Sequence, residues 1–225
     1  MKREIIITSD GSTTIHIPEW NEQYHSKHGA IQEAYHVFIK HGLTLFSKEK
    51  VHILEIGFGT GLNAFITFLE HHKQELTINY TGVEAYPISK EEIAQLNYVQ
   101  ELDAVANKAV FDTMHTCDWE TETRINNSFS LLKQQKLFKE IDCKNCYNLI
   151  YFDAFGARVQ PELWTEDIFQ IMYDSLQANG VLVTYSAKGS VRRAMQAVGF
   201  EVERLPGPPG KREMLRAIKK PKPTL

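Results

Sequence analysis

A glycine-rich segment between a mostly apolar run and an amphipathic run is the feature that most constrains this chain. Positions 55–61 read Glu-Ile-Gly-Phe-Gly-Thr-Gly, and they overlap the end of a mostly apolar run at 51–56. Leu62, Phe65, Ile66 and Leu69 follow at the spacing of one helix face. The pattern predicts a strand, a glycine turn and a helix, an arrangement that lets the backbone approach a bound molecule closely.

The order of residues in this turn distinguishes between classes of ligand. A dinucleotide-binding fingerprint opens its helix with G-x-G-x-x-G, and a phosphate-binding loop ends in Lys-Ser/Thr. This chain has E-x-G-x-G-x-G, and Leu62 and Asn63 stand where a Lys-Ser/Thr pair would be. The order resembles motif I of the class I S-adenosylmethionine methyltransferases, whose cofactor carries an amino acid in place of a pyrophosphate.

Composition and charge exclude several classes of protein. The chain has 225 residues, 43% of them hydrophobic, which suits one α/β domain with a modest extension. No apolar run approaches the roughly 20 residues that span a bilayer, and the start has no signal-peptide core, so we expect a cytoplasmic protein. The net charge of −3 gives no general basic signature, so an RNA partner would need a local positive patch.

The three cysteines do not predict a disulfide framework or a metal centre. Cys143 and Cys146 form a C-x-x-C pair, but a structural zinc site usually has four ligands. No second pair of ligands stands at a suitable spacing, and we therefore expect no metal.

From position 51 onward, predicted strands alternate with predicted helices. The expected strands are 51–56, 78–84, 148–153 and 181–186, and the expected helices are 91–100, 166–177 and 191–198. Positions 200–205 and 213–218 flank a Pro/Gly turn and predict an antiparallel hairpin. Such alternation indicates a mostly parallel sheet covered on both faces. The polar segment 121–146 has no clear pattern and is interpreted either as an insertion near RNA or as plain surface.

Residues 1–46 precede this pattern as an extension, with a β-hairpin predicted over 5–8 and 13–17 and a helix over 30–41. We therefore divide the chain into an extension (1–46), a methyltransferase domain (47–219) and a tail (220–225). The resemblance implies a class I, Rossmann-like α/β fold. Its sheet would be seven-stranded, mostly parallel and closed by an antiparallel C-terminal hairpin.

Residues at the carboxyl ends of the strands are the candidates for cofactor binding, because open α/β sheets bind ligands there. Glu84 stands 29 residues after Glu55, and its two oxygens suit the two ribose hydroxyls. Glu55 is expected near the positive sulfonium. In the resembling fold an acidic residue near the third strand contacts adenine, which implies Asp118 beside Trp119. The expected cofactor-binding residues are Glu55, Gly57, Phe58, Gly59, Thr60, Gly61, Asn63, Glu84, Asp118, Trp119 and Asp153.

Asp153 ends a predicted strand at the place where class I methyltransferases present the group nearest the transferable methyl. The D/N-P-P-Y sequence of adenine or glutamine N-methylation is absent, since Asp-Ala-Phe-Gly occupies 153–156. An amine must lose a proton before it attacks a methyl group. Asp153 is therefore the expected catalytic residue, which orients the amine and takes part in removing its proton.

Four segments together match one family of enzymes. They are F-D-A-F-G-A-R-V-Q-P-E-L-W-T at 152–165, Y-H-S-K-H-G-A at 24–30 with Glu33, G-F-G-T-G-L-N at 57–63 and K-R-E-M-L at 211–215. They resemble the methyltransferase half of the bifunctional tRNA 5-methylaminomethyl-2-thiouridine biosynthesis enzymes (MnmC-like), from about position 10 to 218. The resemblance implies that S-adenosylmethionine methylates the amine of 5-aminomethyl-(2-thio)uridine at the wobble position, in the anticodon region of tRNA.

The resemblance also carries expectations about substrate binding. The bifunctional members also have a flavin-dependent oxidase domain, which we do not expect in this chain. We therefore expect a free-standing methyltransferase whose 5-aminomethyl substrate is supplied by separate enzymes. Phe155 and Trp164 could each stack on the flipped uracil or lie in the core. The core is favoured for Trp164, and Phe155 is taken as the substrate-binding residue. The sequence leaves the oligomeric state open. The expected substrate-binding residues are His25, Ser26, His28, Phe155, Lys188, Lys211 and Arg212.

Two other readings of the function stay open. An S-adenosylmethionine-dependent N-methyltransferase acting on a small amine or another nucleobase would keep the cofactor site and change only the acceptor. A non-catalytic module that binds the cofactor or tRNA would have no need of Asp153. The glycine spacing disfavours an oxidoreductase with a nucleotide cofactor.

Overall fold

A computed structural model describes residues 2–221 of the chain. Of the tail expected at 220–225, positions 222–225 lie outside the described residues. Within the described range, no helix is both long enough and apolar enough to cross a bilayer.

The N-terminal extension forms a small antiparallel sheet and a helix, and the predicted hairpin is confirmed. The sheet has the order β1-β2-β3, with β1 (Glu4–Ile7), β2 (Thr13–Ile17) and β3 (Glu22–Gln23). Helix α1 (Ala30–Ala34) continues as a π-helix over Tyr35–Lys40. The predicted helix over 30–41 is therefore present, although its second half is wound more loosely than an α-helix.

The main sheet is mostly parallel, as the alternating pattern predicts. Its order is β10-β11-β9-β8-β4-β5-β7-β6. Strands β4, β5, β7, β8 and β9 run parallel, whereas β10 and β11 form the expected antiparallel hairpin and β6 is antiparallel at the other edge. The strands are β4 (Lys50–Ile56), β5 (Thr77–Val83), β6 (Thr123–Asn126), β7 (Phe129–Gln134), β8 (Tyr147–Phe152), β9 (Leu176–Thr184), β10 (Glu201–Pro206) and β11 (Glu213–Ile218).

The sheet differs from the expected one in the segment 121–146. Eight strands rather than seven are present among the described residues, because β6 adds an antiparallel edge strand. The third parallel strand is β7 and lies after Asp118 and Trp119. Alternate residues of β7 are buried, and one of them is Lys133, only 1% exposed. Its ammonium donates to the His115 carbonyl oxygen at 2.9 Å and lies 4.9 Å from the centre of the Trp119 ring. Because these contacts replace water, a lysine can occupy a core position.

Helices cover both faces of the sheet. They are α2 (Leu62–Glu70), α3 (Lys90–Ile93), α4 (Tyr98–Glu101), α5 (Lys108–Thr116), α6 (Glu166–Ser175) and α7 (Gly189–Ala197). The helix predicted over 91–100 is wrong, because it is split into α3 and α4. Between them the Asn97 side chain accepts hydrogen bonds from the backbone and hydroxyl of Thr13 and donates to the Gly11 oxygen. Asn97 therefore binds the extension at the point where the predicted helix would have continued.

Two apolar clusters, one on each face of the sheet, form the core. One cluster includes Phe38, Phe65 and Phe129, and the other includes Phe152, Trp164 and Phe169. Trp164 is 5% exposed, which confirms its predicted place in the core. Burying each such side chain contributes about 1.5–3 kcal/mol. The clusters hold the carboxyl ends of the parallel strands rigidly, and the site is built on those ends.

The unexpected strand β7 gives the first prediction. Leu131 is fully buried, so Leu131→Ala should lower the free energy of unfolding by about 2–5 kcal/mol. The matched control is Leu45→Ala, since Leu45 is 47% exposed and should lose less than about 1 kcal/mol. Urea unfolding measures both. Equal losses would contradict the placement of β7 inside the core.

Candidate active site

A cavity of about 410 Å³ opens where β4, β5, β7 and β8 end. Among the residues that line it are five of those predicted from the sequence. They are Gly57, Gly59, Glu84, Asp153 and Phe155. The cavity therefore lies at the carboxyl ends of the parallel strands, where open α/β sheets bind ligands.

Gly57 allows the turn after β4 to pass unusually close to the end of β8. Its φ is 89°, and a Cβ atom there would lie 2.8 Å from the Asp153 carbonyl oxygen. The backbone N–H groups of Gly57 and Phe58 both donate to the Val83 carbonyl oxygen at 3.0 Å, which attaches the turn to β5. Glycine is required here because any side chain would push this backbone away from Asp153.

The side chain of Asn63 connects two carboxyl groups at the ends of neighbouring strands. Its Nδ2 atom donates to Glu55 Oε1 at 2.9 Å and to Asp153 Oδ2 at 2.8 Å. An amide NH2 group has two hydrogens, so one residue at the start of α2 serves both carboxyls. The arrangement orients the Asp153 carboxyl, which also lines the cavity.

Asp153 holds a proton more tightly than an exposed aspartate does. Burial raises the pKa of Asp153 to about 7, and the negative charge of Glu33 raises it as well. The hydrogen bond from Asn63 and the positive charge of Lys211 act in the opposite direction. Burial also raises the pKa of Glu55 well above its usual range. A carboxyl with a pKa near 7 can exchange protons at neutral pH, as a general base must.

Glu84 follows β5 at the cavity wall with its carboxylate held in place by backbone groups. Oε2 accepts the Gly59 N–H at 3.1 Å, and Oε1 accepts the Tyr86 N–H at 2.9 Å. Each oxygen retains a lone pair, so the carboxylate can still accept from two adjacent hydroxyls. This geometry suits the predicted contact with a ribose.

The remaining predicted cofactor residues do not line the cavity. Glu55, Thr60 and Asn63 are buried around the turn, where Thr60 accepts a hydrogen bond from the Tyr98 hydroxyl at 3.1 Å. Phe58 and Gly61 complete the same turn.

Asp118 and Trp119 lie further from the opening. Asp118 is exposed, and the Trp119 ring packs edge-on against Phe58 at 6.3 Å between ring centres. The cavity wall after β7 is formed instead by Leu137 and Phe138. The adenine-binding role of Asp118 and Trp119 stays a prediction.

The profile of a family described as S-adenosyl-L-methionine-dependent methyltransferase matches residues 95–220, which is more than half of the chain. The chain belongs to this family. The cavity, the glycine turn and Glu84 are thus features of a methyltransferase that uses S-adenosylmethionine, and the Rossmann-like class I fold expected from the sequence is confirmed.

Curated relatives resemble nearly the whole of this methyltransferase. The chain is 28% identical over 210 residues to the tRNA 5-methylaminomethyl-2-thiouridine biosynthesis bifunctional protein MnmC of Hydrogenovibrio crunogenus, covering 87% of this chain and 31% of that protein. It is 29% identical over 214 residues to the protein of the same name from Aromatoleum aromaticum, covering 88% and 32%. The chain spans about a third of the length of these relatives.

Solved structures show the same fold. The crystal structure of MNMC2 from Aquifex aeolicus has a TM-score of 0.77 at 24% identity, covering 100% of this chain and 73% of that one. Spermidine synthase from Thermotoga maritima has a TM-score of 0.59 at 15% identity, covering 96% and 68%.

Of the seven residues predicted to bind the substrate, Phe155 lies at the cavity. Its ring makes edge contacts with Tyr24 and Trp20, at 4.9 Å and 5.5 Å between ring centres. His25 and Ser26 are buried in the loop before α1 and do not line the cavity. Burial lowers the pKa of His25 to about 4, so this histidine is neutral at pH 7.

The other four predicted substrate residues surround the turn between β10 and β11 or the start of α7. His28 is exposed and lies against Gly210. Lys188 and Arg212 are also exposed. Lys211 instead forms an ion pair with the buried Glu33. Their roles in binding stay predictions, and the environment of Lys211 differs from that of a free surface cation.

Sequence reasoning missed the contribution of the extension to the cavity. Arg3, Trp20 and Tyr24 line it. Arg3, just before β1, donates to the Tyr86 carbonyl oxygen in the loop after β5 at 2.9 Å and pairs with Glu92 of α3 at 3.3 Å. The signal that sequence reasoning overlooked is the pair of aromatic residues in the polar stretch Trp-Asn-Glu-Gln-Tyr at 20–24.

The two cysteines of the C-x-x-C pair, Cys143 and Cys146, form a disulfide, which the sequence did not predict. In the part of the chain that the structure describes, no three His, Cys, Asp or Glu side chains are grouped to hold a metal ion.

The close approach at Gly57 gives the second prediction. Gly57→Ala should lose about 1–3 kcal/mol of stability and weaken S-adenosylmethionine binding at least about tenfold, because the turn must move away from Asp153. Urea unfolding and calorimetric titration measure the two effects. Gly156→Ala is the control, since a Cβ there meets nothing closer than 3.7 Å and its φ is not in the left-handed region. Unchanged cofactor affinity in Gly57→Ala would refute the argument.

The raised pKa of Asp153 gives the third prediction. Asp153 takes up a proton near pH 7 in the folded protein and near pH 3.9 in the unfolded chain. Ionised Asp153 therefore destabilises the fold above pH 7. This destabilisation is relieved as the pH falls from 7 toward 4, because the folded state then binds the proton first. Asp153→Asn should therefore be more stable than the parent at pH 8, and the difference should shrink by about 2 kcal/mol at pH 5.

Thermal unfolding without the cofactor at pH 8 and pH 5 makes this comparison. The control is Asp167→Asn, because Asp167 is exposed and its carboxylate keeps its hydration. If the stability difference between Asp153→Asn and the parent did not change with pH, the pKa of Asp153 would not be raised in the folded protein.

Proposed function

We propose that this methyltransferase transfers a methyl group from S-adenosylmethionine to the primary amine of 5-aminomethyl-(2-thio)uridine at the wobble position of tRNA. The product would be 5-methylaminomethyl-(2-thio)uridine. The observation that carries the proposal is the Asp153 carboxyl, held by Asn63 at the end of β8 and facing the cavity. The names of the MnmC relatives support the choice of acceptor.

The residues of the cavity fit the cofactor. Gly57 and Gly59 of the glycine turn line the cavity with their backbone, and Glu84 offers two acceptor oxygens for the ribose. Asp153 lines the cavity and would place a carboxyl group near the positive sulfonium, whereas Glu55 is fully buried behind the turn. When bound, S-adenosylmethionine supplies a methyl group on a positive sulfonium, which is already activated for transfer.

Asp153 would prepare the acceptor. A primary amine is largely protonated at neutral pH, and an ammonium ion has no lone pair with which to attack. The Asp153 carboxylate would bind the ammonium group, orient it along the line of transfer and accept its proton, directly or through water. Asn63 would keep the carboxylate in that orientation.

The aromatic side chains at the cavity would hold the base. Phe155 contacts both Trp20 and Tyr24 edge to face, and all three rings line the cavity. Aromatic rings commonly stack on bases that are splayed out of single-stranded RNA loops. We therefore propose that residues 1–46, although an extension of the methyltransferase domain at 47–219, help to form the acceptor site.

The partner would be the anticodon region of tRNA, held by positive groups around the cavity. Lys188, Arg193 and Arg212 are exposed and have no ion pair in the described part of the chain. Several other cations of the C-terminal third are paired with carboxylates, for example Arg216 with Glu203 at 2.7 Å. Because β11 begins where β9 ends, Lys188 and Arg212 lie at the cavity edge of the sheet. Such groups suit phosphate contacts.

The fourth prediction tests the reaction. Bulk tRNA from cells that lack wobble-uridine N-methylation is incubated with the protein and methyl-labelled S-adenosylmethionine. The tRNA is then digested, and its nucleosides are separated and identified by mass spectrometry. Label should appear in 5-methylaminomethyl nucleosides. Asp153→Asn should lower the rate by about 10²–10⁴, the contribution of a general base, while cofactor binding persists.

Asp167→Asn, which changes an exposed aspartate, serves as the control and should retain the parental rate. Cofactor binding without any labelled nucleoside would refute the tRNA acceptor. The alternative acceptor, a small amine or another nucleobase, would then be tested with the same labelled cofactor.

A further inference from the structure

We propose that Lys211 and Glu33 form an internal charge pair that positions Asp153 and sets the charge around its carboxylate, and that Lys211 does not contact RNA. The proposal rests on the proposed role of Asp153 as the group that accepts the proton of the amine.

Glu33 is a buried carboxylate that needs a positive partner. It is 5% exposed and lies in α1, where one oxygen accepts the Ser26 N–H at 3.2 Å and the other accepts the Lys211 ammonium. Leaving such a carboxylate without its cation is unfavourable, because the buried charge would have no positive partner. The pair therefore directs the ammonium of the half-buried Lys211 toward Glu33, and joins α1 to the turn between β10 and β11.

Lys211 also reaches the end of β8 through an aromatic ring. Its ammonium lies 3.9 Å from the centre of the Tyr185 ring, a favourable cation–π contact. The Tyr185 hydroxyl donates to the carbonyl oxygen of Ala154, the residue after Asp153, at 2.7 Å. A change at Lys211 is thus transmitted to the backbone that carries Asp153.

Lys211 is a positive group among mostly negative and neutral neighbours of Asp153. Within the described residues, the ionisable or polar groups that act on Asp153 or feel its charge come from α1, β4, α2, β5, α4, the segment after β9 and the β10–β11 turn. They are Glu33, Glu55, Asn63, Tyr80, Tyr98, Tyr185 and Lys211. Removing the charge of Lys211 should make Asp153 hold its proton more tightly, whereas removing the charge of Glu33 should have the opposite effect.

The test compares Lys211→Met, Glu33→Gln and the double variant by the pH dependence of kcat/KM at saturating S-adenosylmethionine. The acid limb of this profile is the fall in kcat/KM at low pH, where Asp153 becomes protonated. It should move up by about one pH unit in Lys211→Met and down by about one in Glu33→Gln. In the double variant it should return close to the parental position. The affinity for tRNA and its salt dependence should stay at the parental values in Lys211→Met.

Arg212→Met is the matched control, because Arg212 is the adjacent cation and is exposed. It should weaken tRNA binding and reduce the slope of log Kd against log salt by about one, with the acid limb unmoved. The same behaviour in Lys211→Met would show that Lys211 contacts RNA and would overturn the proposal. A loss of stability alone, with neither the limb nor the tRNA affinity changed, would overturn it too.

Two further measurements separate this proposal from the proposed function and from misfolding. Lys211→Arg keeps the charge and should restore the parental acid limb. Carbon-13 NMR of the Asp153 carboxyl follows its titration directly in the protein without cofactor or tRNA. Opposite shifts in Lys211→Met and Glu33→Gln would support the charge pair even if no tRNA accepted a methyl group, and an unmoved titration in both would refute it.

Discussion

The Asn63 amide between Glu55 and Asp153 is the contact on which the site depends. Strands β4 and β8 are parallel neighbours, paired at Ile56 and Phe152, so their ends bring two acidic residues close together. Burial raises the pKa of Glu55 well above its usual range, and the nearby charge of Asp153 raises it further. One amide donates to both, at 2.9 Å and 2.8 Å, and connects the buried Glu55 to Asp153 at the cavity.

The same constraint explains the glycine turn and the position of the extension. The turn after β4 must pass the Asp153 backbone closely, which requires glycine at position 57. The extension then closes the cavity with Trp20 and Tyr24, and Arg3 attaches it to the loop after β5. Arg3, Trp20 and Tyr24 of the extension thus line a cavity whose other walls include the glycine turn after β4 and Asp153 after β8.

Much of the fold was predictable because its signals are local. The apolar runs of β4, β5 and β8 and the glycine turn follow from a few adjacent residues, and Glu84 and Asp153 were found because ligands bind at strand ends. Strand β7 was missed because its pattern includes Lys133, which tertiary contacts satisfy. The helix over 91–100 was wrong because Asn97 binds the extension instead of continuing it.

The sequence by itself determined the order of strands and helices, the glycine turn and the acidic residues at the strand ends, since periodicity and turn chemistry depend on near neighbours. Only the tertiary structure decided which charges are free and which are paired. Lys211 and Arg212 are adjacent in the sequence, yet one binds buried Glu33 and the other faces solvent. Glu33 lies far away along the chain, and a local pattern contains no information about distances between such residues.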